Sequence, residues 1–188
     1  MFDNYKKYLK FLDKHLSEYF ENQKSYIFCK KGCAKCCKNA EFPYSTLEMQ
    51  YLMHGYINLD ISTKEKINKN IETLKQEKSK HTGKFFYSCP FLIDNVCSVY
   101  NYRGIVCRAF GLLETTQDEK TIKVPFCCHE GLNYSNVYDK TTGHINYSKN
   151  EIQPTAFNIS YKALTSKTYE EKFDLAFGEK RKMIDWFD

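Results

Sequence analysis

A chain of 188 residues, 42% hydrophobic and 16% aromatic, is long enough for one domain with a core of its own, so it need not rely on cysteine staples to fold. Its net charge of +5 rests on 25 lysines against three arginines, scattered among Asp and Glu, whereas nucleic-acid readers favour the planar arginine fork. No run reaches the roughly 20 apolar residues of a membrane span, and the charged N-terminus lacks the apolar stretch of a signal peptide, so a soluble, cytoplasmic protein with no membrane partner is expected.

The first element is a helix over residues 2–24, where Phe2, Tyr5, Leu9, Leu12, Leu16 and Tyr19 recur in steps of three and four along one stripe. It docks on the body and delivers the chain to Cys29. After Pro43, Ser45-Thr46-Leu47-Glu48 spells a capping box, with Ser45 as N-cap and Glu48 reaching back to it. That helix carries Leu47 and Tyr51 inward and is expected to stop near Gly55. A second box, Ser62-Thr63-Lys64-Glu65, starts a third helix with Ile67, Ile71 and Leu74 on one face. His54 is expected to be a structural residue there.

From residue 85 the texture becomes aromatic and β-branched. The segments around Cys89-Pro90 and Val96-Cys97, with Asp94-Asn95 between them, read as a short hairpin or irregular β-turn unit. Residues 102–111 read as a short helix closed by Gly111, and 121–126 as a second β-like segment leading into Cys127-Cys128-His129. The tail from 165 to 188 is helical in pattern, with Tyr169, Phe173, Phe177, Met183 and Trp186 turned inward. The expected fold class is mainly α with a small β-hairpin or irregular cysteine-rich metal centre, an α+β single domain. Its parts are a docking helix (1–28), a cysteine cluster (29–130) and a helical C-terminal extension (131–188).

All nine cysteines lie between Cys29 and Cys128. So dense a group exceeds what packing needs, and an odd number does not suit a fully paired disulfide framework. In a reducing compartment such thiols point to metal, because thiolates are soft ligands for zinc, copper(I) or iron–sulfur clusters. Cys33-Ala34-Lys35-Cys36 is the two-residue knuckle that lets two thiolates share one ion. Cys29 precedes it across a gap containing Gly32, and Cys37 follows directly, its side chain expected to diverge from that of Cys36. Four thiolates close one tetrahedral site, so nine suffice for two sites or one multinuclear cluster. The expected metal ligands are Cys29, Cys33, Cys36, Cys37, Cys89, Cys97, Cys107 and Cys127, with Cys128 ranked last and His129 the one histidine placed to join them. Lys30, Lys31, Lys35 and Lys38 lie within the cluster, where they are expected either to favour thiolate or to offset the negative charge of a thiolate-ligated metal. Arg103 and Arg108 flank Cys107. They serve either to compensate thiolate charge and bind an anionic cofactor or substrate, or to hold a loop by an ion pair.

These residues carry a family resemblance. Gly32-Cys33-Ala34-Lys35-Cys36-Cys37, then Cys89-Pro90-Phe91-Leu92 with Cys97-Ser98-Val99-Tyr100, then Arg103 with Cys107-Arg108, and finally Pro125-Phe126-Cys127 resemble, in order and spacing, the CxxCxxCC family of zinc- or iron-chelating proteins (YkgJ-type cysteine-cluster proteins). The first gap differs, since three residues separate Cys29 from Cys33 where the family has two. The resemblance implies a domain binding zinc or iron, or an iron–sulfur cluster. It extends to the cysteine-rich region of the longer flagellin lysine N-methylases, but no G-x-G-x-x-G loop for S-adenosylmethionine is present here. Three functions follow: a redox protein holding iron, a zinc-stabilised structural or interaction module with a protein partner, and an enzyme acting on protein lysines. No catalytic acid, base or nucleophile is assigned.

Overall fold

A computed structural model describes residues 2–30, 32–39, 41–115, 122–147 and 152–188. Lys31 of the lysine group and Thr121 of the second β-like segment lie outside them. Helix α1 spans Asp3–Asn22 and buries Tyr5, Tyr8, Leu9, Leu12 and Leu16, the stripe that its periodicity predicts with Tyr8 added. Each such side chain contributes about 1.5–3 kcal/mol on full burial, enough to hold a helix whose exposed face is charged. A 3₁₀ turn at Lys24–Tyr26 ends it and turns the chain towards Cys29. The short helix α2, Lys35–Lys38, carries two of the cysteines.

Strand β1 (Pro43–Ser45) leads into helix α3 (Thr46–Ile57), whose N-cap is Ser45 with the full capping box to Glu48. The helix runs through Gly55 instead of stopping there. Gly55 serves packing: a Cβ at that position would stand 2.4 Å from the Tyr102 ring. Helix α4 covers Ile61–Ser79 and is capped by Asp60, whose side chain accepts from the Thr63 N–H, not by Ser62. Asp60 outcompetes the expected cap because its carboxylate sits two residues earlier and also takes the Ser62 and Thr63 hydroxyls.

The hairpin is as expected: β2 (Leu92–Ile93) pairs antiparallel with β3 (Val96–Cys97), and Asp94 and Asn95 both take positive φ, as a two-residue turn of this hand requires. Helix α5 (Ile105–Ala109) follows a 3₁₀ turn at Tyr100–Tyr102. Strand β4 (Glu114–Thr115) pairs with β5 (Ile122–Lys123), and β6 (Tyr138–Asp139) with β7 (His144–Ile145). The C-terminal segment departs from the helical expectation. After α6 (Tyr161–Leu164) and α7 (Lys167–Phe173), strand β8 (Lys180–Lys182) pairs antiparallel with β1 and a 3₁₀ turn covers Met183–Trp186. Its apolar side chains turn inward from an extended segment as well as from a helix, and sheet pairing with β1 decides between the two. The molecule is thus α+β, with helices and small antiparallel strand pairs.

Two apolar clusters flank the cysteine-rich segments. One joins α1 to Tyr51, Ile105, Leu112, Leu164 and Phe177. The other gathers Tyr44, Leu52, Ile67, Phe91, Val99 and Met183, with Cys89, Cys97 and Cys107 packed on it. No helix among the described residues is long and apolar enough to cross a membrane.

Candidate metal centre

The approach to Cys29 is fixed by a buried side chain. Asn133 Oδ1 accepts the backbone N–H of both Phe28 (2.9 Å) and Cys29 (3.2 Å), while its Nδ2 donates to the Gly111 carbonyl (2.9 Å). A turn through Gly32 (φ +88°) brings the Cys33 N–H to the Lys30 carbonyl at 2.9 Å, and α2 then presents Cys36 and Cys37. Their sulfurs lie 3.9 Å apart, so these neighbours do not diverge as expected: their side chains turn the two sulfurs towards each other. The Cys89 N–H donates to the Cys37 carbonyl at 2.7 Å, which ties the hairpin to α2. Cys107 comes from α5 and Cys127 from the 3₁₀ turn Phe126–Cys128. An ion pair between Lys35 and Glu130 (2.8 Å) joins α2 to the chain just after that turn.

Thiols of four segments are thereby linked, some by hydrogen bonds and others only by the reach of their charge. Cys29 accepts hydrogen bonds from Cys127 and Cys33, and Cys36 lies at the hub. Cys36 senses the charge of Cys29, while Cys37, Cys89, Cys97, Cys107 and Cys127 all sense that of Cys36. The ninth, Cys128, is fully buried in another cluster with Tyr26, Leu113, Tyr134 and Val137. Among the described residues, no three His, Cys, Asp or Glu side chains are grouped so as to hold a metal ion. The close thiol contacts are Cys36 with Cys37, and Cys29 with Cys127 and Cys33. The donor chemistry nevertheless fits a soft, thiophilic metal.

Electrostatics divides the eight. The hydrogen bond from Cys127, aided by Asn133 and Cys33, pulls the Cys29 pKa down to about 6 against the opposing effect of burial. As the donor in that bond, Cys127 is pushed up. Cys36 is lowered by its bond from Cys37, and Cys37 is raised in return. Burial raises Cys89 and Cys97, and pushes Cys107 up to about 12. The inner thiols therefore keep their protons unless a cation replaces them.

Exposure and a depressed pKa together give an expected result for the metal-free protein. A thiol with pKa about 6 is about nine-tenths thiolate at pH 7, against about 1% for one near 9, and Cys29 is exposed. Cys29 is expected to be alkylated first by iodoacetamide, at a rate flat above pH 7 and falling as the pH drops through about 6, as followed by mass spectrometry. A rate at Cys29 that still climbs between pH 7 and 9 would contradict this.

The two arginines differ. The Arg108 side chain is buried: it donates to Asp13 (2.6 Å) and to the carbonyls of Arg103 (3.2 Å) and Asn101 (3.1 Å), so it is engaged in the ion pair that holds a loop to α1. The Arg103 guanidinium lies over the Tyr100 ring, 3.9 Å from its centre, and its charge lowers the Cys97 pKa against burial. His129 packs its ring edge-on against Tyr138, and His54 packs on Phe2 and Tyr102.

Behind the cysteines stands a polar network that sequence reasoning missed. The carboxylate of Glu48, 1% exposed, accepts from Ser45 N–H (3.0 Å), Ser45 Oγ (2.8 Å), Ile105 N–H (2.8 Å) and Tyr161 Oη (2.5 Å). Next to it, Tyr44 Oη lies 3.4 Å from Cys107 Sγ and accepts the Gly104 N–H at 3.1 Å. Burial raises the Tyr44 pKa well above the usual phenol value, so the hydroxyl keeps its proton. The Ser45-x-x-Glu48 box was the one signal of this network in the sequence. Asn133, Asp13 and Tyr161 carry none.

Compared with known proteins, the chain matches no family model, no curated protein and no solved structure.

Proposed function

We propose that this chain is a metal-binding cysteine-cluster protein of the CxxCxxCC (YkgJ) type, working in a reducing compartment such as the cytoplasm, and that it holds zinc or iron through thiolates. One observation supports the reading: thiols of four segments, Cys37, Cys89, Cys97, Cys107 and Cys127, all lie within reach of the charge on Cys36, with Cys128 set apart in the core. A packed interior gains little from so many weakly polar groups in one place, whereas a soft cation stabilises them all. Cys36, Cys37, Cys89, Cys97 and Cys107 would form one group of donors, and the exposed Cys29 and Cys33 with the buried Cys127 the other. Iron bound as a cluster supplies one-electron chemistry; zinc supplies structural closure.

The chain's own residues prepare for either. Asn133 orients the Cys29 backbone, and Arg103 offsets negative charge near Cys97. A purely structural zinc module is the second reading, favoured because the cysteine segments are also pinned by Glu48, Asn133 and Arg108. Anaerobic purification followed by assay of iron, sulfide and zinc separates the two. Brown protein with matching iron and sulfide, bleached by reductant, supports the redox reading; colourless protein with stoichiometric zinc supports the module. Protein free of all three would remove the proposal.

A further inference from the structure

The donor count around Tyr44 leads beyond the identity of the metal. Gly104 gives its N–H to Tyr44 Oη at 3.1 Å, which occupies the oxygen as an acceptor. The phenol still has one proton of its own to donate. Tyr44 is 1% exposed, so solvent does not receive that proton, and Cys107 Sγ stands 3.4 Å away, within the range of an O–H···S bond. The geometry points to Tyr44 as the hydrogen-bond donor to the Cys107 sulfur, a positioning residue that tunes the metal–sulfur bond from outside the ligand shell. This rests on the metal-thiolate reading above.

The arrangement is built on several sides. Tyr44 sits in the middle of β1, opposite Arg181 of β8, and its carbonyl accepts from Trp186 Nε1 at 3.2 Å. Its ring lies so close over residue 104 that a Cβ there would stand 2.6 Å from Cζ; only glycine admits the approach. Residue 105 is held in turn by Glu48, so the start of α5, which carries Cys107, and the phenol cannot drift apart independently. A hydrogen bond to a ligating sulfur withdraws electron density from it, weakens its donation to the metal and raises the energy of sulfur-to-metal charge transfer. It does so without changing the number of ligands.

The test uses the full chain loaded with cobalt(II), a spectroscopic stand-in for zinc or iron, in three forms: wild type, Tyr44→Phe, and a chain with 3-fluorotyrosine at position 44, whose phenol is the stronger donor. The sulfur-to-cobalt band is expected to move to longer wavelength in Tyr44→Phe and to shorter wavelength with fluorotyrosine, at unchanged cobalt per chain. Opposite shifts cannot come from general loosening of the fold. A wild type that binds cobalt while neither variant moves the band overturns the inference and leaves the metal reading standing. A wild type that takes up no cobalt defeats both. Should Tyr44→Phe fail to fold, the fluorotyrosine form decides alone, and an unmoved band there overturns the inference.

Discussion

Replacing Glu48 by alanine is expected to destabilise the protein by roughly 3–5 kcal/mol, because each buried donor left without an acceptor costs about 1–3 kcal/mol. Four donors lose theirs at once: the Ser45 N–H and hydroxyl, the Ile105 N–H and the Tyr161 hydroxyl. The consequences are not confined to the helix cap. Ser45 begins α3, Ile105 begins α5 with Cys107, and Tyr161 begins α6, so one carboxylate ties together three helix starts. Burial raises the pKa of the acid while its hydrogen bonds lower it, which is how such a group persists in the interior. Urea denaturation followed by circular dichroism checks the figure as a lower midpoint with unchanged slope. Glu48→Gln, which keeps one acceptor oxygen, is expected to fall between wild type and alanine. A loss below about 1 kcal/mol, the range of an ordinary cap deletion, would show that the network does not act as a unit.

The second large effect concerns metal. On the proposed metal-thiolate reading, the double change Cys89→Ser and Cys107→Ser is expected to weaken metal binding on the order of a thousandfold or more, since a thiolate site of the kind worth about 10–16 kcal/mol would lose two donors and a serine hydroxyl does not ionise to replace them. The two positions lie on different segments, the entry to the β2–β3 hairpin and α5, and Cys89 senses the charge of Cys107. Competition against a chromophoric chelator reads the change directly. Cys128→Ser provides the contrast. Its thiol is buried among Tyr26, Leu113, Tyr134 and Val137, so it is expected to cost stability and leave affinity unchanged. Equal loss of affinity in both variants would contradict the division of eight against one.

Much of the fold was legible in the chain because local signals agreed with packing. The stripe on α1, the Ser45–Glu48 box and the Asp94-Asn95 turn each specify backbone through contacts a few residues apart. The tail was not, because Lys180–Lys182 takes its conformation from pairing with β1, more than a hundred residues away, and its apolar neighbours satisfy helix and strand alike. The site divides the same way. Cysteine spacing points to the ligand candidates, but what holds them is long-range: Asn133 to residues 28 and 29, Arg108 to Asp13, Glu48 to Ile105. Ordinary residue types in such roles leave no periodic trace. The reading of adjacent thiols as divergent failed at Cys36 and Cys37, whose sulfurs lie 3.9 Å apart, because side-chain torsions, which spacing does not reveal, turn the two sulfurs towards each other.

X-ray absorption at the metal edge of the anaerobically purified protein tests the central claim most directly, since it reports the atoms bound to the metal. The account expects a first shell dominated by sulfur at about 2.3 Å for zinc, the zinc–thiolate distance, or a sulfur shell with a short iron–iron vector if the metal is a cluster. A first shell of nitrogen and oxygen near 2.0–2.1 Å, the range of histidine and carboxylate ligands, or no bound metal to measure, would contradict it.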